Sequence, residues 1–312
     1  MNPLIILAGP TAVGKTELSL SLAQHLNAEI VSADSMQVYK RMDIGTAKPT
    51  WEEREAVPHH LIDLVEPNQD FSVADYKKCF EQTVASIYAR GKLPLMTGGT
   101  GLYMRACIQE YNLEPGEPDP ALRQNIKEQA EQFGPTYVYQ QLAKVDPEAA
   151  AKIHPNDCRR VIRALEVFLN TGMPISQIQQ KRINSIKYNI IYLFLNRDRD
   201  ELYRRIEVRV DRMIGNGLIE EVLSLLESGF SPLLKPMQSL GYKQIGSYLR
   251  QAVSLEEAVA SIKQETRHYA KRQLTWFRKE PVENWINISG DSQEFFGDIL
   301  NYIEGRLDRD VE

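Results

Sequence analysis

The sequence predicts an α/β fold in which a parallel sheet is interrupted by a helical insertion. Short apolar runs that alternate with helical patterns are typical of such sheets, because strands buried on both faces show no polar alternation. The first run, Leu4 to Ala8, ends at Gly9 and Pro10 and is followed by apolar residues at helical spacing in 17–26. A hydrophobic content of 43% is sufficient for a sizeable core.

Further strands and helices are expected in the same alternation. We expect strands at 29–32, 93–96 and 188–195, and helices at 73–90, about 200–214 and 256–279. The alternation stops between about 113 and 185, where a breaker-rich stretch at 114–120 leads into a helical pattern. We therefore predict a core made of residues 1–112 and 186–312, with residues 113–185 as a helical insertion domain.

A glycine-rich segment between the first strand and the first helix fits the phosphate-binding pattern G-x-x-x-x-G-K-[ST]. The glycines let backbone N–H groups turn inward around phosphate oxygens, Lys15 supplies a positive charge, and the Thr16 hydroxyl suits Mg²⁺. A chance match in a chain of this length is on the order of 1 in 100. The segment predicts a P-loop NTPase-like core that binds a phosphorylated ligand through Gly9, Pro10, Thr11, Ala12, Val13, Gly14, Lys15 and Thr16.

The carboxyl edge of the predicted sheet carries a candidate general base. Asp34 follows the second strand, where ligands bind in open parallel sheets, although a turn aspartate is the more common use of such a position. Thr100 in the second glycine turn, residues 97–101, is expected at the same edge. No clear Walker-B strand is evident, so these residues leave open both a kinase and an enzyme that holds a diphosphate without hydrolysing a nucleotide.

The charge is uneven along the chain, although the net charge of −5 gives no sign of a nucleic-acid partner. Residues 1–150 hold 13 Lys and Arg against 20 Asp and Glu, residues 151–280 hold 22 against 14, and the last 32 hold 2 against 8. Affinity for nucleic acid comes largely from local neutralisation of phosphates. The basic middle of the chain is therefore where a polyanion would bind.

Three predicted helices in this basic part carry clusters of Lys and Arg. One face of the helix at 256–279 carries Lys263, Arg267, Lys271 and Arg278, with aromatic residues beside it. Such a face suits a nucleic-acid backbone with stacked bases, whereas a solvated helix surface explains any single cluster at least as well. The other clusters are Arg159, Arg160 and Arg163, and Arg204, Arg205, Arg209 and Arg212.

The cysteines, the histidines and the apolar stretches argue against several classes of protein. Cys79, Cys107 and Cys158 form no CxxC pair, which argues against a disulfide framework and a zinc site. His59 and His60 have no further ligand at metal spacing. No stretch approaches the roughly 18 apolar residues that span a bilayer, and no signal-peptide pattern is present. We expect a cytoplasmic monomer with no membrane partner.

Eight segments match a family pattern in the same order along the chain. They are GPTAVGKT (9–16), ADSMQVYKRMDIGTAKP (33–49), HHLID (59–63), GGTGLY (98–103), DPEAAAKIHPND (146–157), RALEVF (163–168), LGYKQ (240–244) and KRQLTWFR (271–278). Together they closely resemble the bacterial tRNA dimethylallyltransferase family over nearly the whole chain. The resemblance implies transfer of a dimethylallyl group from its diphosphate to the exocyclic amine of the adenosine 3′ of the anticodon, which flips into a channel of the sheet domain.

The resemblance also implies roles for particular residues. Asp34 matches the base that takes the amine proton, Arg209 matches an arginine that steadies the leaving diphosphate, and Lys15 matches the diphosphate site. Mg²⁺ at Thr16 is the implied cofactor. The positions that match contacts with the tRNA anticodon stem-loop are Asp34, Ser35, Met36, Gln37, Thr100, Arg123, Arg159, Arg160, Val161, Ile162, Arg163, Gln238, Ser239, Leu240, Gly241, Tyr242, Lys243, Lys271, Arg272, Gln273, Leu274, Thr275, Trp276, Phe277 and Arg278.

Three other functions have to be separated from this one. An adenylate isopentenyltransferase uses a free nucleotide as acceptor and needs neither the helical insertion nor the basic carboxyl-terminal helix. A small-molecule P-loop kinase needs a nucleoside triphosphate and no RNA. A non-catalytic RNA-binding protein needs neither the intact Gly14-Lys15-Thr16 nor Asp34.

Overall fold

The computed structural model describes residues 2–109, 119–180 and 187–308. Its strands are β1 Pro3–Ala8, β2 Ala28–Ala33, β3 His59–His60, β4 Leu93–Gly98, β5 Asn189–Asn196 and β6 Asn284–Asn287. They form one sheet in the order β3-β2-β4-β1-β5-β6, and each neighbouring pair is parallel. The predicted α/β fold with a parallel sheet is therefore confirmed.

The register of the central strands brings three chain segments to one edge of the sheet. Ala8 at the end of β1 lies opposite Gly98 at the end of β4, and Gly98 lies opposite Ala33 at the end of β2. The residues that follow these strand ends share the carboxyl edge, where ligands bind in open parallel sheets. The phosphate-binding loop, the second glycine turn and Asp34 all begin there.

The described residues also form fourteen α-helices. They are α1 Lys15–His25, α2 Trp51–Ala56, α3 Val73–Ala89, α4 Gly101–Ile108, α5 Pro120–Phe133, α6 Pro135–Val145, α7 Pro147–Lys152, α8 Cys158–Thr171, α9 Ile175–Gln180, α10 Arg199–Gly215, α11 Leu218–Glu227, α12 Tyr242–Leu249, α13 Leu255–Phe277 and α14 Phe296–Asp308. Side-chain caps set the start of two long helices. Ser72 accepts a hydrogen bond from the N–H of Asp75 before α3, and Ser254 accepts one from Glu257 before α13.

Apolar side chains cover both faces of the sheet. Leu4, Ile6 and Ala8 of β1 belong to the cluster on one face, whereas Ile5 and Leu7 belong to the cluster on the other. Helices α3, α4 and α11 cover the first face, α1 and α14 cover the second, and α10 and α13 contribute to both. Burial on both faces explains why β1 is an unbroken apolar run.

Residues 109–186 form a second compact unit, and the rest of the chain forms the first. Helices α5 to α9 make up the described part of this second unit. Its own core contains Ile126, Val138, Leu142 and Leu165. Its described residues are helical, as expected for an insertion at 113–185, and both of those expected boundaries lie outside the described residues.

Several elements were not expected from the sequence. Strand β3 has two residues, and the edge strand β6 has four, most of them only partly buried. Neither provides the apolar run on which the strand predictions relied. Strand β6 and helix α14, which follow the helix predicted at 256–279, were not predicted. None of the described helices is long and apolar enough to cross a membrane.

Candidate active site

The phosphate-binding loop runs from the end of β1 to the start of α1. Gly14 has a φ of 112°, in the left-handed region that favours glycine. A Cβ at Gly9 would collide with the backbone of Leu195. Lys15 Nζ folds back over the loop and donates to the carbonyls of Gly9 at 2.9 Å and Pro10 at 2.8 Å. The loop thus has the backbone geometry that its sequence pattern predicts.

Two arginines outside the loop's sequence motif hold the loop by its carbonyl groups. Arg197, which directly follows β5, donates from Nε to the Val13 carbonyl at 2.9 Å. Arg205 on α10 donates from Nε to the Ala12 carbonyl at 3.0 Å. Because the C=O and N–H of one peptide group point in opposite directions, the bond to the Val13 carbonyl turns the N–H of Gly14 away from Arg197. Arg205 belonged to a predicted basic cluster, but no sequence signal pointed to Arg197.

Lys15, Asp34 and Arg209 influence one another electrostatically. Burial and, to a smaller extent, the charge of Arg209 lower the pKa of Lys15 to about 7, while Asp34 opposes this change. Burial also lowers the pKa of Arg209, and Asp34 again acts in the opposite direction. The structure therefore brings together the three residues that the sequence assigned to catalysis. An anionic ligand at this point would favour the charged form of Lys15.

Asp34 shapes the turn that follows β2. Its Oδ1 accepts a hydrogen bond from the N–H of Met36 at 2.8 Å, which is an aspartate turn. No described residue donates a hydrogen bond to its other carboxylate oxygen, and the side chain lies on both cavities described next. One oxygen shapes the turn, and the second accepts no hydrogen bond from a described residue.

Two cavities of the first unit meet at these residues. The larger, of about 1170 Å³, includes the phosphate-binding loop, and the smaller, of about 450 Å³, includes Ser35, Met36 and Arg272. The residues that line both are Thr11, Asp34, Thr46, Arg209, Met213 and Tyr269. Asp34 and Arg209 thus belong to the walls of both cavities. We call these the phosphate-side cavity and the acceptor-side cavity.

A segment between β2 and α2, residues 36–48, forms part of the wall of both cavities. Glu221 of α11 holds it, because its carboxylate accepts from the N–H groups of Asp43 at 2.9 Å, Ile44 at 2.7 Å and Gly45 at 3.1 Å. The hydroxyl of Tyr242 also donates to Glu221, at 2.5 Å. One carboxylate thus fixes three consecutive N–H groups of the wall.

The acceptor-side cavity collects several residues that were predicted to contact tRNA. Its lining includes Ser35, Met36, Gln238, Ser239, Leu240, Gly241, Lys243 and Arg272. Gln37 instead lines the phosphate-side cavity, where it donates to the carbonyls of Thr46 and Ala47. Five other residues predicted to contact tRNA line neither cavity. They are Lys271, Leu274, Thr275 and Trp276 of α13, and Arg278 directly after it. Lys271, Thr275 and Arg278 are exposed.

The basic face predicted on α13 is corrected by the packing against α10. Lys263 forms an ion pair with Asp211 at 2.7 Å, and Arg267 forms one with Glu207 at 2.8 Å. Both charges are neutralised within the fold, because α10 covers the first half of the face. Of the four residues assigned to that face, only Lys271 and Arg278 remain exposed.

Three other predicted tRNA contacts are also corrected. The side chains of Val161, Tyr242 and Phe277 have at most 1% of their surface exposed, so they pack the interior and are closed to a macromolecular ligand. Phe277, for example, lies against Phe194 with ring centroids 4.8 Å apart. These buried residues alternate with exposed ones because successive residues of a helix point to different sides. The matching sequence segments contain both the buried and the exposed residues, so the segments alone could not separate them.

The second unit holds the other predicted contacts. Arg123 and Arg163 both bind the carboxylate of Glu166, which is fully buried, at 2.9 Å and 2.8 Å. Both guanidinium groups remain partly exposed. Arg159 and Arg160 are exposed at the start of α8, and Ile162 is half-buried. Arg160 is paired with Asp157 at 3.1 Å, so two carboxylates lie among these four arginines, and Glu166 fixes the positions of Arg123 and Arg163.

Thr16 was the predicted magnesium residue. Its side chain is exposed at the start of α1, and no described residue bonds to its hydroxyl. In the described residues, no group of three or more His, Cys, Asp or Glu side chains is placed to hold a metal ion. A hydroxyl next to a phosphate site suits Mg²⁺, which keeps several waters and takes further oxygen ligands from the phosphates. The residues present therefore fit a metal ion that takes most of its ligands from water and from a bound phosphate.

The sheet and the phosphate-binding loop place this protein among α/β proteins of the P-loop type. The model of the IPP transferase family matches residues 37–280. Proteins named tRNA dimethylallyltransferase from Moorella thermoacetica and Thermoanaerobacter sp. are each 49% identical to this chain, over 100% and 97% of it and 98% of each relative. The chain belongs to the IPP transferase family, and the resemblance found in the sequence is confirmed.

Solved structures show the same fold. The full-length tRNA isopentenylpyrophosphate transferase from Bacillus halodurans is 43% identical, with a TM-score of 0.75 over 99% of this chain and 98% of that one. A eukaryotic dimethylallyltransferase acting on tRNA is 33% identical, with a TM-score of 0.78 over 89% of this chain and 70% of that one. The P-loop-like core is thus shared across bacterial and eukaryotic relatives.

Proposed function

We propose that this protein transfers a dimethylallyl group from dimethylallyl diphosphate to the exocyclic amine of the tRNA adenosine 3′ of the anticodon, position 37. The observation that carries the proposal is the meeting of two cavities at Asp34 and Arg209, one lined by the phosphate-binding loop from Thr11 to Thr16 and one that meets the loop only at Thr11. A transferase of this kind needs separate approaches for a diphosphate donor and a bulky acceptor. The names of the relatives support the same donor and acceptor.

The diphosphate occupies the phosphate-binding loop in this mechanism. Lys15 and Arg209 stabilise the charge that develops on it as the bond between the allylic carbon and the phosphate oxygen breaks. Thr16 and the diphosphate oxygens would hold Mg²⁺, which supplies further positive charge to the leaving group. Because the pKa of Lys15 is about 7 without a ligand, arrival of the diphosphate favours its protonated form.

The acceptor adenosine enters through the acceptor-side cavity. Its amine nitrogen forms the new bond to the allylic carbon, and Asp34 accepts the proton that the amine releases. The base has to leave its stack to reach this depth, and an anticodon loop makes that step easier than a duplex. The products are isopentenyladenosine in the tRNA and free diphosphate.

The tRNA backbone lies on the basic surfaces in this proposal. Lys243 and Arg272 line the acceptor-side cavity, and Lys271, which precedes Arg272, is exposed. Phosphates of the anticodon stem-loop are bound by four arginines of the second unit, Arg123, Arg159, Arg160 and Arg163. One chain forms both cavities, so the mechanism needs only a monomer. We place the reaction in the cytoplasm.

A transfer assay tests this function against the alternatives. Radiolabelled dimethylallyl diphosphate with Mg²⁺ is offered to unmodified tRNA, to the same tRNA with the adenosine next to the anticodon replaced by guanosine, and to AMP. We expect label in the first tRNA alone. Label in AMP would indicate an adenylate isopentenyltransferase. No transfer, together with phosphorylation of a small molecule by ATP, would indicate a kinase.

A further inference from the structure

The side chain of Gln273 joins the two glycine turns of the site. Its Oε1 accepts a hydrogen bond from the Thr11 N–H at 2.9 Å, and its Nε2 donates to the Gly99 carbonyl at 3.0 Å. Thr11 belongs to the phosphate-binding loop, and Gly99 to the second glycine turn. A primary amide accepts with one atom and donates with the other. A single orientation of Gln273 therefore satisfies both turns.

This bridge is buried and closely packed. Gln273 is only 5% exposed, and a Cβ at Gly99 would collide with its Nε2. The bridge also occupies the N–H of Thr11, so the loop binds phosphate with its other N–H groups. Because Thr11 lies early in the loop, the position of Gln273 sets where the following N–H groups point.

The same bridge extends to the residues around Asp34. The Tyr269 side chain, one helical turn before Gln273 on α13, lies beside Gln273 and Thr100, and burial raises its pKa. Thr100 Oγ1 in turn accepts from the N–H of Ser35 at 3.1 Å. One face of α13 thus contacts the phosphate-binding loop, the second glycine turn and the Asp34 turn. The exposed Lys271 and Arg272 lie on a different face of the same helix.

We infer that Gln273 is a positioning residue for the diphosphate loop and not a tRNA contact, although its sequence segment predicted the latter. The inference rests on the proposed function, in which the loop binds diphosphate. Gln273 acts through the Thr11 N–H and the Gly99 carbonyl. Loss of Gln273 weakens binding of the diphosphate donor, whereas the exposed charges beside it bind the tRNA acceptor.

The test compares neighbouring residues of α13 in the full chain. The variant Gln273→Met removes both hydrogen bonds at nearly constant volume, and Arg272→Met is the matched control. Gln273→Asn keeps the amide but is one methylene too short to reach both turns. The dissociation constant of inorganic diphosphate is measured by calorimetry with Mg²⁺, that of unmodified tRNA by filter binding, and the melting temperature checks folding.

We expect Gln273→Met to weaken diphosphate binding about tenfold and to leave tRNA binding within about twofold. Gln273→Asn should weaken diphosphate less, and Arg272→Met should weaken tRNA alone. Weakened tRNA binding with normal diphosphate binding in both Gln273 variants would overturn the inference, as would equal losses for both ligands. If the wild-type protein bound no diphosphate, the proposed function would fail first, and the wild-type measurement alone would reveal it.

Discussion

The two cavities that meet at Asp34 and Arg209 are built in different ways. The phosphate-side cavity contains an unbroken run of the phosphate-binding loop, Thr11 to Thr16, which is joined by segments from elsewhere in the chain. The acceptor-side cavity draws its lining from segments that are distant in sequence, near residues 34–36, 45–46, 209–213, 238–244 and 262–272. A small charged group can be bound by one loop, whereas a macromolecular acceptor has to be recognised by a surface.

This difference suggests that the two cavities will respond separately to substitution. Residues that line both should affect the chemical step, and residues of one should affect the binding of one substrate. The four predictions that follow test this division.

The largest effect is expected at Asp34, which lines both cavities. Asp34→Asn keeps an oxygen that can accept from the Met36 N–H, so the turn should survive, but the amide cannot take the amine proton. We expect kcat to fall by at least about 100-fold while tRNA and inorganic diphosphate bind as before. Single-turnover transfer and equilibrium binding measure the two parts. Near-normal turnover would remove Asp34 as the base.

Arg209 also lines both cavities, but its partner in the mechanism is the anionic leaving group. Arg209→Ala should slow transfer on the order of 10-fold to 100-fold, since a preorganised donor to the leaving group is lost. Filter binding should show an unchanged tRNA affinity. Arg204→Ala is the matched control, because Arg204 lines only the phosphate-side cavity and is exposed. A pure tRNA-binding defect in Arg209→Ala would reassign it to the RNA surface.

Reversal of the exposed charges on α13 should affect the acceptor alone. The double variant Lys271→Glu, Arg272→Glu should raise the tRNA KM about tenfold or more and reduce the salt slope of binding by about 2. The KM for dimethylallyl diphosphate should stay the same. Lys78→Glu on α3, an exposed lysine outside both cavity linings, controls for a charge reversal elsewhere on the surface, at half the change in net charge. An unchanged salt slope in the double variant would show that this face binds no RNA.

The smallest effect is expected from the pH dependence of the phosphate-side cavity. Lys15 has a pKa of about 7 without a ligand, and its charged form binds diphosphate better. Affinity for inorganic diphosphate should therefore weaken as the pH rises from about 7 to about 8.5, by less than tenfold per unit. Lys15→Arg keeps a permanent charge and should remove this dependence. The same slope in wild type and Lys15→Arg would assign it to the ligand's own ionisation.

Sequence patterns were sufficient where the relevant interactions are local. The phosphate-binding loop, the strand before it and the helix after it follow from glycine geometry and apolar runs within one stretch of chain. Asp34 could be placed at the same edge because consecutive parallel strands end there. The helical character of the insertion also followed from composition and spacing. Each of these depends on residues that are close in sequence.

The tertiary structure decided which side of each helix meets the ligand. Lys263 and Arg267 looked like part of a basic face, but their partners Asp211 and Glu207 lie on another helix far away in sequence. Gln273 and Phe277 share a segment with Lys271 but are buried. The spacing of residues within one helix does not show which other helix packs against it.

The sequence alone therefore determined the fold class, the phosphate-binding loop and the position of Asp34, because backbone geometry and strand burial depend on residues that are neighbours in sequence. Only the tertiary structure showed that Arg197 and Arg205 hold the loop, that Glu221 fixes the wall, and that Gln273 joins the glycine turns. These contacts join residues 174 or more positions apart, and such pairs form only when the whole chain has folded.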